Sequence, residues 1–300
     1  MTKRTKRALF YSAVAVFMLL SYVVILYAQG YKYSFSEAKF FRTGSIFVKT
    51  NEDAKVYLDG KFLNSTSFFG NSYAISGLLP GQYTIRIQKD DYSSWQKKVL
   101  VEEGLVNDYS RIILLPESGE TKENLKTEIK NLLYPTPKPT PSPSLSKPTP
   151  KPSPSKTPIL SPTSPSAGGS TEPFYIKNGI LFKNMENKET ERLAYFVTGF
   201  AVSPDGKKIA WWGGNELWVM WLSDTDYQPY HKAGDKDLIT TTSTKIKKAA
   251  WFRDSDHVVI DSDGYKVLEI DKRGGLNILS KVVLQITQVI FFRGTWQNGQ

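Results

Sequence analysis

The chain has 300 residues, no cysteine and a formal net charge of +10. The lack of cysteine excludes disulfides, thiolate chemistry and cysteine-based zinc sites, while 13% aromatic residues suffice for one or two packed cores. The positive excess would suit nucleic acid, anionic lipid or an anionic wall polymer. It is scattered rather than gathered on a basic helix with interleaved aromatics, so nucleic acid is not expected as a partner.

Residues 8–28 carry no charge. As a helix at about 1.5 Å per residue the run spans about 30 Å, the thickness of a hydrocarbon core. Lys3, Arg4, Lys6 and Arg7 precede it, which predicts a cytoplasmic stretch at residues 1–7 and a single-pass transmembrane helix with the bulk of the chain outside. The rival is a cleaved signal peptide, whose apolar region is ordinarily ~7–15 residues long and ends in a small-x-small site. The run here is longer, and Leu26-Tyr27-Ala28 fits such a site poorly. A buried globular helix does not fit a run that is apolar on all sides. Residues 30–43 read as a short polar and aromatic spacer, with Tyr22, Tyr27, Tyr31 and Tyr33 near the outer interface.

From residue 44 to residue 115 the pattern changes to short strands. Residues 45–50 alternate, residues 54–58 run into Asp59-Gly60, a hairpin signal, and residues 61–63 follow. Leu79-Pro80-Gly81-Gln82 is a turn. Beyond it Tyr83, Ile85 and Ile87 face one way while Thr84, Arg86 and Gln88 face the other, the mark of a half-buried strand. Residues 95–101 and 109–115 add two more. About seven short strands in so short a stretch predict a small antiparallel β-sandwich.

The residues 50–61 (TNEDAKVYLDGK), 78–85 (LLPGQYTI) and 91–95 (DYSSW) resemble the PEGA domain family, with three separated motifs in the right order. That family often has glycine where Asn64 and Asp91 stand, and Thr-Pro near Thr66-Ser67; these departures fall at turns. The resemblance implies an extracytoplasmic β-sandwich, often tethered to envelopes, with no catalytic residues. Asn64-Ser65-Thr66 also matches a glycosylation sequon.

Residues 118–133 form a predicted helix with Leu125, Ile129, Leu132 and Leu133 on one face, ended by Pro135. It is expected to pack on the sandwich, to form a short stalk, or to bind a partner. Residues 134–173 are rich in Pro, Ser, Thr and Lys. Such a tract lacks backbone donors and apolar area, and predicts a disordered, extended strut reaching on the order of 100 Å. The modules on either side are expected to move independently, without a fixed interface.

Residues 174–300 are again rich in strand patterns. The run 200–210 (FAVSPDGKKIA), followed by 215–220 (NELWVM), recurs 49 positions later as 249–259 (AAWFRDSDHVV), followed by 264–270 (GYKVLEI). Asn178-Gly179-Ile180-Leu181-Phe182 reads as the tail of an earlier unit. The spacing is that of a propeller blade, slightly long. The Ser203-Pro204-Asp205-Gly206 turn with Lys207-Lys208-Ile209-Ala210 is similar to TolB-type and WD-like propeller repeats. A closed propeller needs at least about four blades, so a partial, propeller-like region is expected.

His231 and His257 are the neutral-pH bases, and both read as solvated turn residues. Neither has metalloprotease spacing, and nucleophile-elbow and phosphate-loop motifs are missing. Asp254, Asp256, Asp261 and Asp263 are dense but lack the ligand spacing of a calcium loop, so they read as turn carboxylates. Trp211, Trp212, Trp218, Trp221 and Trp251 could stack on sugars if exposed, but are expected in a blade-to-blade core. No catalytic, cofactor-binding or metal residue is assigned. The expectation is a non-enzymatic, membrane-anchored envelope protein that binds protein or cell-wall glycan; the alternative is a surface hydrolase acting on peptide or wall polymer through the C-terminal region.

Overall fold

The computed structural model describes residues 2–35, 37–135, 173–185, 189–275 and 278–282. The predicted linker, from 136 to 172, and residues 283–300 at the end of the repeat region lie outside the described residues.

Helix α1 runs Lys3–Ala28, with the Thr2 hydroxyl accepting from the Thr5 amide at its start. Its most apolar window has a mean hydropathy of 2.4 and none of it is buried, so it is long and apolar enough to cross a membrane. The stretch predicted as a spacer is instead a hairpin, β1 Tyr31–Ser34 and β2 Lys39–Arg42. Tyr31-Lys32-Tyr33 alternates as a strand does, and Gly30 supplies the positive φ of 85° that turns the chain out of the helix.

Seven strands follow: β3 Gly44–Thr50, β4 Lys55–Leu58, β5 Lys61–Ser65, β6 Ser72–Leu78, β7 Gly81–Gln88, β8 Trp95–Val101 and β9 Val106–Ile112. They form two sheets, ordered β6-β3-β9 and β5-β4-β7-β8. Ile46, Val48, Val56, Ile85, Ile87, Trp95 and Val99 fill the space between them, and full burial of each aliphatic side chain stabilises by about 1.5–3 kcal/mol. The sandwich is not wholly antiparallel, because β3 and β9 pair in parallel. They are the first and last strands, so no hairpin fixes their relative direction. Strand β6 escapes sequence reading because Ile75 alone among its residues is buried. Asp59 and Gly60 take φ of 49° and 79°, the geometry of a tight two-residue hairpin turn. Asp91 takes φ 64°, the conformation for which the family's glycine is suited, whereas Asn64 lies within β5 rather than in a turn.

Helix α2, Gly119–Leu133, buries Leu125, Ile129 and Leu133. The second region contains three successive sheets. The first comprises β10 Phe174–Lys177, β11 Ile180–Asn184 and β12 Thr190–Tyr195; the second β13 Gly199–Val202, β14 Lys208–Gly213, β15 Glu216–Trp221 and β16 Lys236–Thr241; the third β17 Lys248–Trp251, β18 His257–Ser262, β19 Gly264–Glu269 and β20 Ile278–Val282. Each is an antiparallel meander in sequence order. The 49-residue offset survives in space, since β13 and β17 start 49 residues apart, as do β14 and β18. The sheets stack face to face like consecutive blades. Phe174, Leu181, Leu193, Ile209, Trp211 and Met220 fill the first gap, and Trp212, Leu217, Val219, Trp251, Val258 and Leu268 are among those filling the second. Among the described residues the stack does not close into a ring.

The two regions are not independent. Ala250, Phe252, Val259, Tyr265 and Val267, on the outer face of the third sheet, share one core with Leu125, Ile129 and Leu133 of α2 and with the sandwich. This overturns the expectation of freely moving modules. Linker composition reports on the linker, not on whether its ends meet; here Leu133 before it and Phe174 after it are both buried.

Candidate functional site

The most chemically loaded part of the molecule is the seam where the second region meets strands β8 and β9. On β8, Trp95, Lys97, Val99 and Val101 point inward in strict alternation. A lysine in that phase needs counter-charges from outside its own sheet. The end of β19 supplies them. Lys97 Nζ, on a side chain 0% exposed, lies 3.2 Å from Glu269 Oε1 and 3.7 Å from Asp271 Oδ1, and donates to the Asp271 carbonyl. Trp95 Nε1 donates to the other Glu269 oxygen at 3.0 Å. Arg273 grips Asp271 through Nε and Nη2 at 3.1 and 2.7 Å, and Nη2 also donates to the Asp108 carbonyl at 2.7 Å. Its guanidinium lies 4.3 Å from the centre of the Tyr109 ring. Burial opposes the Asp271 charge, but Arg273 and Lys97 together hold its pKa below the ordinary value. The Tyr109 hydroxyl is pushed up to about 12, chiefly by burial.

Strand β9 is an edge strand, and its free backbone groups need cover. Gln228 provides it. Its carboxamide oxygen accepts from the Asp108 amide at 3.0 Å and its nitrogen donates to the Val106 carbonyl at 2.8 Å, so one side chain stands in for a paired strand. Farther along, Arg111 pairs with Asp256 at 2.9 Å and stacks 3.5 Å from the centre of the Tyr227 ring. Asp256 also faces Lys208 Nζ at 3.4 Å. Burial works against the Lys208 charge, yet Asp256, Tyr227 and Asp205 keep its pKa above the ordinary value. The small cleft lined by Arg111, Tyr227, Gln228, Asp256 and Arg273 holds about 30 Å³, room for about one water.

A larger open trough of about 480 Å³ runs along the outer side of the same seam, lined by Gln82, Lys98, Leu100, Asn107, Tyr109, Arg273 and Gly274. Its volume falls in the range of ligand sites. It offers amides, the Lys98 ammonium, the Arg273 guanidinium already paired with Asp271, and an exposed leucine, a lining that can hydrogen-bond and pack against a polymer chain.

The residues singled out from sequence have other roles. His257 is 0% exposed, not solvated; its Nδ1 lies 2.9 and 3.0 Å from the two Asp254 oxygens, and its Nε2 has no hydrogen-bond partner among the described residues. The pair repeats the motif one sheet earlier, where Asp205 and Lys208 hold the same positions 49 residues before. His231 is also not solvated: it stacks on Trp221 with ring centres 3.5 Å apart, and burial lowers its pKa. Asp261 accepts from the Tyr134 hydroxyl at 2.7 Å, and Asp263 is an exposed turn residue. Four of the five tryptophans are buried and Trp218 is half-buried, stacked on Trp211. Among the described residues no three carboxylates or imidazoles gather as a metal site. Thr66 of the sequon is buried, its hydroxyl accepting from the Ala54 amide.

Lys97, Glu269, Asp271, Arg273 and Gln228 were missed by sequence reasoning. Lys97 did leave a signal, since it falls in the buried phase of an alternating strand. Its partners lie more than 170 residues away, and nothing local names them. No curated protein matches the chain. Residues 43–110, from just before β3 into β9, match the PEGA domain, so the sandwich is similar to the family read from its three motifs.

Proposed function

We propose that this chain is a non-enzymatic binding or scaffold protein of the cell envelope. In this reading α1 is an uncleaved anchor with a cytoplasmic N-terminus, and the PEGA-like sandwich and a TolB-type or WD-like propeller module lie outside as one body. The observation that carries it is the seam. It welds a sandwich that follows an apolar helix to a stack of sheets, and it leaves the trough beside Lys98, Asn107 and Arg273 open to solvent. The ligand that fits is an envelope protein segment or a cell-wall glycan, since an open, mixed polar and apolar trough suits an extended chain. The orientation follows from Lys3, Arg4, Lys6 and Arg7 before the helix. The hydrolase alternative draws no support from His257 or His231, because one is fully buried and the other lies flat on Trp221. Nucleic acid is not favoured, because the cations of the seam are neutralised by carboxylates.

The test is retention of the full chain on isolated wall polymer and on envelope protein extracts, with Lys98→Glu as the probe. Lysine in the trough should matter, so the variant should bind several-fold more weakly while remaining in the membrane fraction and protease-accessible from outside. Equal binding by the variant would remove the trough from the proposal. Recovery of the wild-type chain from the cytosol would end the envelope assignment.

A further inference from the structure

Two residues, Gln29 and Gly30, separate the end of α1 from a hairpin dense with rings. Tyr27, in the last turn of the helix, meets Phe40 of β2 edge-on, with ring centres 6.5 Å apart. Phe40 is paired across the hairpin with Tyr33, at 5.2 Å, and Tyr33 meets Phe35 at 5.1 Å. The row therefore starts on the helix and ends at the hairpin tip, where Phe35 is 92% exposed. Because Phe40 touches the last helical turn, the hairpin lies beside the helix end, not far above it. The base is clamped there: both the amide and the hydroxyl of Thr43 donate to the Gly30 carbonyl at 2.8 Å. Lys32 sits between Tyr31 and Tyr33, and Lys39 and Arg42 flank Phe40 and Phe41.

Rings with adjacent cations at the end of a membrane-spanning helix match the headgroup layer, where amphipathic aromatics partition favourably. We propose that the β1–β2 hairpin is a second membrane contact, lying in the phospholipid headgroup layer with Phe35 inserted toward the acyl chains. It would also set the attitude of the body. Lys32 Nζ donates to the Gly77 carbonyl at the end of β6 at 2.7 Å, and the Arg42 side chain lies over Gly104 in the β8–β9 turn. Both links join the hairpin to one end of the sandwich. Phe68 and Phe69 are as exposed, at 90% and 98%, but they lie at the opposite end, since the Asn71 carbonyl accepts from Thr50 at the far end of β3. Seven strand residues separate the two ends by about 23 Å. The proposal rests on α1 spanning the bilayer.

Because the chain has no cysteine, single labels can be placed without background. The full chain carrying Met18→Cys, Phe35→Cys or Phe69→Cys, each with an environment-sensitive fluorophore, is reconstituted in phosphatidylcholine–phosphatidylglycerol vesicles. It is then challenged with lipid-borne spin quenchers and with aqueous iodide. Labels at 18 and 35 should be quenched several-fold more by the lipid quenchers than the label at 69, with the label at 35 responding best to a shallow quencher. If 18 reports lipid and 35 behaves like 69, the hairpin proposal is overturned and the anchor stands. If 18 does not report lipid, both fall.

Discussion

The sandwich and the stacked sheets solve the same problem differently. Two sheets of the sandwich face each other around one core, so each has an inner face and needs no third layer. The third sheet of the stack has two apolar faces. On β18, Val258 and Ile260 face the second sheet, while Val259 faces α2 and the sandwich. An end face as apolar as that of the third sheet must be covered. Here the sandwich and α2 cover it. The dependence is therefore asymmetric: the third sheet needs the sandwich more than the sandwich needs the third sheet.

The sharpest way to break that asymmetry is Lys97→Ala. It removes the buried cation beside Glu269, which keeps its Trp95 hydrogen bond, while Arg273 still holds Asp271; the loss should cost about 3–5 kcal/mol. Denaturant unfolding should split into two transitions, the stack melting first and the sandwich, followed by amide exchange in β4–β7, later. A single unchanged transition would show the seam to be dispensable. Ile129→Ala removes a fully buried side chain from the shared core and should cost about 2–4 kcal/mol, with faster amide exchange in β17–β19 than in β4–β7.

Acidification probes the same seam. The pKa of His231 is lowered by burial, so its unfolded form gains a proton first and stability falls as pH drops below the ordinary histidine value of about 6.5. Asp271 and Asp254 are also lowered. Their contribution is present above the ordinary carboxylate value and is lost only below about pH 4. Thermal midpoints against pH should show two declines, and His231→Phe should flatten the first while leaving the second.

Smaller effects grade the periphery. Gln228→Ala uncovers two backbone groups of β9 that water can reach in part, and should cost about 1 kcal/mol. Arg253→Ala breaks an exposed bidentate pair with Glu128 and should shift stability by less than about 1 kcal/mol, as measured by the same denaturant midpoint. If Arg253 proved the larger of the two, α2 rather than β9 would be the principal joint.

Much of this architecture was legible because its signals are local. A run of uncharged residues over 8–28 is read by counting. Strand β8 was read to the residue, and Asp59-Gly60 announced its turn through the backbone freedom of those two residues. The 49-residue repeat needed only comparison of the chain with itself. The β1–β2 hairpin was missed because Tyr, Phe and Lys beside a helix end read equally well as an interfacial spacer. His257 and His231 were misplaced because a polar neighbourhood in sequence predicts solvent, while burial depends on what docks from elsewhere.

The sequence by itself determined the apolar helix, the sandwich, the helix after it and the repeating sheets, since each follows from periodicity and turn chemistry within a few neighbouring residues. Tertiary structure alone decided that the two β regions are one body. Trp95 and Lys97 meet Glu269 and Asp271, and α2 lays Leu125 and Ile129 on the third sheet. Such contacts join residues a hundred or more positions apart. What forces them is the apolar outer face of the third sheet and a buried lysine, and which surface would answer them is not written near either.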